Sequence, residues 1–144
     1  MFPAAMGRFR DAVVADPSRA RWGPRLFVVD APRTLVGWGG FKGPPDGDGA
    51  VEIGYAVAPS WQGRGIATVA VNELLREAWS AREIRRVLAH TLPEPNASVR
   101  VLEKSGFARE GEDLDGDVGH VWRFRTERPA APAGVRSSRG AVGR

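Results

Sequence analysis

The chain of 144 residues contains no cysteine. Disulfide scaffolds, thiolate metal sites and cysteine nucleophiles are thereby excluded, and a reducing, cytoplasmic setting is expected. Lysine is nearly absent too, since Lys42 and Lys104 are the two lysines among 21 basic residues. No run approaches the roughly 18 consecutive apolar residues of a membrane-spanning helix, so no membrane partner is expected. The N-terminus, Met1-Phe2-Pro3-Ala4-Ala5-Met6-Gly7, lacks the basic region and apolar stretch of a secretory signal. No 20- to 50-residue period recurs, which argues against a solenoid. What is present suits one ordinary core: 42% of the residues are apolar, and the length is that of a single domain.

The net charge of +4 invites a nucleic-acid reading, so its location matters. All 17 acidic residues lie within residues 1–127, whereas Arg128, Arg136, Arg139 and Arg144 lie beyond them. Residues 1–127 are therefore neutral and form the expected folded domain. Residues 128–144, rich in Pro, Ala, Gly, Ser and Arg, read as a disordered basic tail. Nucleic acid is disfavoured as a partner of the body, and no basic-aromatic interleaving of the kind that binds single strands is visible.

Pro3 and the spacing of Met6, Phe9, Val13 and Val14 predict a short amphipathic helix that stops at Asp16-Pro17. Residues 25–30 and 34–41 read as a hairpin, with Gly37, Gly39 and Gly40 marking a bulge or a close backbone approach. The strand from Val51 to Ala58 has two unlike faces. Val51, Ile53, Tyr55 and Val57 form a core face, while Glu52 stands among Gly54, Ala56 and Ala58 on the other. Ala67, Ala70, Val71, Leu74, Leu75 and Ala78 fit a helix at i, i+3, i+4, i+7 spacing, and residues 85–91 read as a strand after it. Strand, helix and strand in that order imply a parallel crossover. Asn96 reads as the N-cap of a further helix closed by Gly106 and Phe107, with Phe107 placed to meet Leu102. Residues 107–112 and 118–125 read as two strands across a turn at Asp113–Asp117.

Chemistry concentrates at Gln62-Gly63-Arg64-Gly65-Ile66-Ala67-Thr68, where a strand ends and the long helix begins. Backbone N–H groups without intrahelical partners, a positive dipole end and glycines that admit an anion make this a pyrophosphate cradle. A glycine-containing turn with an arginine is the plainer alternative. No Lys-Ser/Thr follows the glycines and the Rossmann spacing is not met, so ATP and NAD are disfavoured. His90 and His120 fall on different strands without partners at metal-ligand spacing, so no metal is expected, and His90 is expected to line the cofactor slot.

Three blocks resemble the GNAT acetyltransferases, in particular the branch similar to ribosomal-protein N-terminal acetyltransferases of the Rim type. They are Glu52-Ile53-Gly54-Tyr55, the pattern Gln62-x-x-Gly65-x-Ala67, and Asn96-Ala97-Ser98-x-x-x-Leu102-Glu103-Lys104-x-Gly106-Phe107. The resemblance spans roughly residues 25–125 and implies an α/β fold: a mixed sheet whose central strands, around Val57 and His90, splay to admit the pantetheine arm of acetyl-CoA. By the same resemblance, main-chain groups near Val57 hold pantetheine, and Gln62, Gly63, Arg64, Gly65, Ile66, Ala67 and Thr68 form the pyrophosphate site. Asn96 reaches the cofactor or serves as a plain cap. Glu52, directly or through water, is the expected general base toward an amine acceptor. Two departures stand out. Relatives often place a thiolate-protonating tyrosine where this chain has Leu102, which leaves Ser98 or a water for that role, and Tyr55 lies opposite Glu52 by parity. The family's first strand is also expected to be missing before the hairpin.

The expected function is acetyl-CoA-dependent transfer to a primary amine, such as a protein N-terminus or a small molecule, in a ternary complex; a homodimer fits the resemblance. The alternatives are a degenerate acyl-CoA-binding module and a ribosome- or RNA-associated protein using its basic tail.

Overall fold

The computed structural model describes residues 17–30 and 32–130. The helix expected over residues 3–14 and the chain beyond residue 130 lie outside them. Six strands form one mixed sheet: β1 (Pro24–Asp30), β2 (Arg33–Phe41), β3 (Ala50–Val57), β4 (Arg86–Thr91), β5 (Ala108–Asp115) and β6 (Gly119–Glu127). Helix α1 (Ile66–Ser80) joins β3 to β4, and α2 (Ala97–Lys104) joins β4 to β5. The spatial order is β1-β2-β3-β4-β6-β5, with β3 and β4 parallel and every other neighbouring pair antiparallel. The expected α/β mixed sheet and its crossover are both present. Among the described residues no helix is long and apolar enough to cross a membrane.

Period-two and period-3.6 patterns assemble the core from one side of this sheet. Val51 and Ile53 of β3, Val87 and Ala89 of β4 and Phe124 of β6 are buried against Val71, Leu74, Leu75 and Ala78 of α1 and Val99 and Leu102 of α2. Each fully buried Leu or Val removes enough apolar surface to contribute about 1.5–3 kcal/mol. Trp22 closes one end of the cluster, meeting Phe41 edge to face with ring centroids 5.1 Å apart.

The glycines of β2 have the role their spacing indicated. The β1–β2 register shifts between Phe27 and Val28, so Val36 is the bulged residue. A Cβ built on Gly39 would lie 2.7 Å from the Gly54 carbonyl oxygen and 2.7 Å from the ring of Phe27. At the end of α2, Gly106 takes φ +90°. Its N–H donates to the Glu103 carbonyl at 3.1 Å while the Phe107 N–H donates to the Leu102 carbonyl at 3.0 Å, the paired reversal of a Schellman stop. Leu102 and Phe107 both enter the core.

Two boundaries differ from the sequence reading. The turn expected at Asp113–Asp117 is shorter, because β5 continues through Asp115, whose side chain accepts from the N–H groups of Asp117 and Val118. Asp113 is consequently a strand residue. Arg128, which composition placed in the tail, is held by the body. Its guanidinium donates to the carbonyls of Trp79, Ala81 and Ile84 at 3.0, 2.5 and 2.8 Å, at the end of α1 where carbonyls lack helical partners.

Gly39→Ala should destabilise the fold by about 1–3 kcal/mol, since the Gly54 carbonyl is backbone and the Tyr55 Cβ is fixed to the backbone, so that only the Phe27 ring can move aside. Equilibrium denaturation compared with Gly47→Ala, whose added Cβ meets nothing within 4 Å, checks this.

Candidate active site

Parallel pairing between β3 and β4 runs from Ala50 with Arg86 to Ile53 with Ala89 and then stops. Beyond that point β3 continues to Val57 against β2, and β4 continues to Thr91 against β6. The sheet therefore opens in a wedge, as the splayed-strand expectation required. At the wide end of the wedge lies a cleft of about 270 Å³ between Val57, the start of α1 and one face of α2.

The start of α1 is built to leave its amides open. Pro59–Trp61 forms a single 3-10 turn, after which Gly63 and Gly65 adopt φ +76° and +80°. Gly65 is the N-cap and supplies no side chain. The first helical bond is donated by Val69 to the Gly65 carbonyl, so the N–H groups of Ile66, Ala67 and Thr68 precede the helical ladder. From the opposite wall α2 presents Arg100 and Lys104, one helical turn apart, together with Ala97 and Val101. Amides, a helix dipole and two cations converge on one small volume, an arrangement suited to a phosphate-bearing ligand.

Most of the expected cofactor residues are brought together here. Val57, Gln62, Gly63, Gly65, Ile66, Ala67 and Thr68 all line the cleft. Gln62 also braces it, its amide donating to the Val57 carbonyl at 3.1 Å. Arg64 turns to the other side, its guanidinium 4.5 Å above the ring of Trp61 and bordering the groove between α1 and β1. Asn96 acts as the N-cap of α2, its side-chain oxygen accepting from the Val99 N–H at 3.0 Å. Ser98 receives the Tyr55 hydroxyl on its backbone carbonyl at 3.3 Å, which places it on the Tyr55 side of β3 rather than with Glu52. Burial raises the Tyr55 pKa, and this hydrogen bond to Ser98 only partly offsets it.

Glu52 stands on the face of the sheet away from α1 and α2, one residue before the last β3–β4 pair. Its Oε2 receives Lys42 Nζ at 2.8 Å and lies 2.9 Å from His90 Nδ1. His90 Nε2 in turn lies 2.7 Å from Asp113 Oδ2, and Arg123 pairs with the other Asp113 oxygen and with Glu110. Arg125, Glu127 and Arg86 extend the same chain along β6 and β4. His90 was expected to line the cofactor slot; it stands instead at the neck of the wedge, bound to Glu52. Burial lowers its pKa, but the bonds to Asp113 and Glu52 outweigh burial and the net shift is upward. Asp113 is lowered, first by its bond to His90 and then by Arg123.

Sequence reasoning missed five participants. Arg100 and Lys104 follow Asn96 at i+4 and i+8, so helical spacing could have placed them on one face of α2. Lys42, Asp113 and Arg123 could not be found by pattern, because Asp113 read as a turn residue and cross-sheet partners depend on register.

Residues 4–108 match the family described as Acetyltransferase (GNAT) domain. The chain is 30% identical over 106 residues to the uncharacterized N-acetyltransferase YjdG of Bacillus subtilis, a match covering 74% of this chain and 63% of that protein. It spans less than two thirds of the length of the curated relatives it matches. Among solved structures, ribosomal-protein-S5-alanine acetyltransferase from Vibrio fischeri superimposes with TM-score 0.72 at 21% identity, covering 88% of this chain and 72% of that one. Spermidine N-acetyltransferase from Vibrio cholerae, solved with CoA and spermine, gives TM-score 0.65 at 22% identity over 85% and 73% of the two chains. These structural likenesses establish the fold.

The two titrations bracket a pH window. His90, raised in the fold, contributes stability that is complete below its unfolded value of roughly 6.5 and is lost as pH rises through the higher folded value. Asp113, lowered in the fold, contributes stability above roughly pH 3.9 that is lost as pH falls through its folded value. The melting-temperature gap between the parent and His90→Leu should therefore be widest between about pH 4 and 6.5 and shrink on both sides. A pH series of thermal melts checks it; a gap independent of pH would contradict it.

Proposed function

Because this chain belongs to the GNAT acetyltransferase family, we propose that it is an acetyl-CoA-dependent N-acetyltransferase that passes an acetyl group directly to a primary amine. One observation carries the reading. The wedge between β3 and β4 leads directly into the cleft where the α1 amides, Arg100 and Lys104 converge. An extended thioester arm fits such a wedge as an added strand would, and a pyrophosphate fits the cleft.

In this reading the residues divide the work. The α1 amides with Arg100 and Lys104 hold the phosphates, and Gln62 keeps Val57 in place beside the pantetheine. Main-chain groups along β3 from Gly54 to Val57 orient the thioester and polarise its carbonyl, an effect of positioning and electrostatics. Glu52 takes a proton from the acceptor ammonium, which is largely charged at neutral pH. The amine nitrogen then forms its bond to the carbonyl carbon and sheds its second proton, the carbon–sulfur bond breaks, and the CoA thiolate leaves with the electron pair and takes up a proton, so that an amide and a free thiol result. Leu102 is buried in the core at 1% exposure, so no hydroxyl protonates the thiolate from that position. Water at the open wedge serves, with the Ser98 hydroxyl as the remaining side-chain candidate. The acceptor is a protein N-terminus or a small amine, the two classes represented by the S5-alanine and spermidine enzymes of like fold. The absence of cysteine is in keeping with a cytoplasmic setting.

A degenerate acyl-CoA-binding module would share the cleft but not the transfer, so binding and turnover are tested separately. Acetyl-CoA at 100 times its dissociation constant should stabilise the fold by about 2.7 kcal/mol, and ATP should not. No shift with any CoA thioester would overturn the reading. Alanine at Arg100 or Lys104 should each weaken acetyl-CoA binding about 10-fold, the loss of one charge-assisted contact. Glu52→Gln should lower kcat/KM about 100-fold or more with acetyl-CoA affinity unchanged. Acetyl-CoA binding without turnover on a panel of peptide and polyamine acceptors would identify the module instead.

A further inference from the structure

We propose that His90 is the positioning residue of Glu52: strung between two carboxylates, its imidazole pins one Glu52 oxygen and leaves the other for the acceptor amine. The inference rests on the reading of Glu52 as the base. Glu52 and His90 both border the point where β3 and β4 part, since pairing ends with Ile53 and Ala89 and His90 is the next residue of β4. His90 Nδ1 and Lys42 Nζ both engage Oε2 of Glu52, at 2.9 and 2.8 Å, so the two partners converge on one carboxylate oxygen. The other ring nitrogen is fixed at 2.7 Å from Asp113. A ring flip would replace both nitrogens by carbons and lose both contacts, so the imidazole has one orientation.

Counting protons decides its charge. Each of the two nitrogen–oxygen contacts needs one hydrogen between the atoms, so Glu52, His90 and Asp113 together hold two. Either the ring is an imidazolium between two carboxylates, or it is neutral and one carboxyl is protonated. Lys42 beside Glu52 and Arg123 beside Asp113 favour ionised carboxylates and hence the imidazolium. The groups facing His90 are thus Glu52 from β3, Asp113 and Asp115 from β5, Arg123 with Glu110 behind it from β6 and β5, and Lys42 beyond Glu52. When the ring loses its proton, one nitrogen lone pair is left against a carboxylate oxygen, and the bridge must open at one end. Glu52 then keeps Lys42 as a partner but loses the contact that fixes it across the neck of the wedge.

A carboxylate base alone would give a rate that rises with pH and levels off. The bridged base gives a descending alkaline limb as well, set by His90. The test measures kcat against pH for the full-length protein at saturating acetyl-CoA with a reactive amine from the acceptor panel. The parent is compared with His90→Leu, His90→Asn and Glu52→Gln, alongside a histidine NMR titration in which His120 is the internal comparison. Expected results are a descending limb in the parent whose midpoint matches the NMR midpoint of His90, and a kcat about 10- to 100-fold lower in His90→Leu with KM for acetyl-CoA unchanged. His90→Asn sets a non-titrating amide donor near the position of Nδ1. It should regain much of kcat and lose the descending limb. Parent-like kcat and an intact limb in His90→Leu, with Glu52→Gln impaired, would overturn the inference while leaving the base in place. Full activity in Glu52→Gln would instead remove the base assignment on which it rests. If His90→Leu does not fold, His90→Asn decides: a limb retained there overturns the inference.

Discussion

Parallel strands can part only if the backbone groups they abandon find other partners, because an unpaired N–H or C=O away from water costs as much as a lost hydrogen bond. Here β3 and β4 part after Ile53 and Ala89 and do so in the middle of the sheet. β2 and β6 keep the two strands supported on their outer edges, so the gap is held open by structure on both sides. The residues of the proposed site are arranged around that gap. Its neck carries Glu52 and His90, its wide end opens on the α1 amides, and α2 stands over it with Arg100 and Lys104. An elongated ligand with an anionic end and a reactive end matches this geometry better than a compact one does.

The electrostatics follow from the same division of the sheet into two faces. One face is covered by α1 and α2 and is apolar. The other carries an alternating chain of charges from Lys42 through Glu52, His90, Asp113, Arg123, Glu110, Arg125 and Glu127 to Arg86. Ion pairs on partly exposed surfaces each contribute little stability, so this chain is better understood as a device for orientation. Arg123 shows the point: its planar fork joins Asp113 to Glu110 and fixes both carboxylates at once. Lysine could not do that, and the two lysines of the chain stand where a single point charge suffices.

Much of this was legible in the sequence, and the limits have physical causes. The helix at Ala67–Ala78, the cap at Asn96 and the stop at Gly106-Phe107 depend on neighbours in sequence, and each was read from spacing alone. The two faces of β3 followed from a period of two, which put Glu52 on the side away from the core. Gly39 signalled a close approach, and the backbone of Gly54 is what approaches it. Arg64 is the expected loop residue whose side chain lies apart from the others, because position in a motif says nothing about rotamer and the ring of Trp61 competes for the guanidinium. The bridge from Glu52 to Asp113 was out of reach for a different reason. It joins residues 61 positions apart across four neighbouring strands, β3, β4, β6 and β5, and its alignment depends on the β5–β6 register shift between Arg109 and Gly111.

Arg128 fastens the chain at the end of α1 opposite the open amides of its first turn. With 15 residues in that helix, the two ends lie about 22 Å apart at the usual rise per residue. Arg128 is therefore a fixed point of the chain remote from the cleft. A fluorophore, affinity handle or fused domain attached there would report on ligand binding without crowding the ligand. A label placed on Arg100 or Lys104 would stand in the proposed cleft itself.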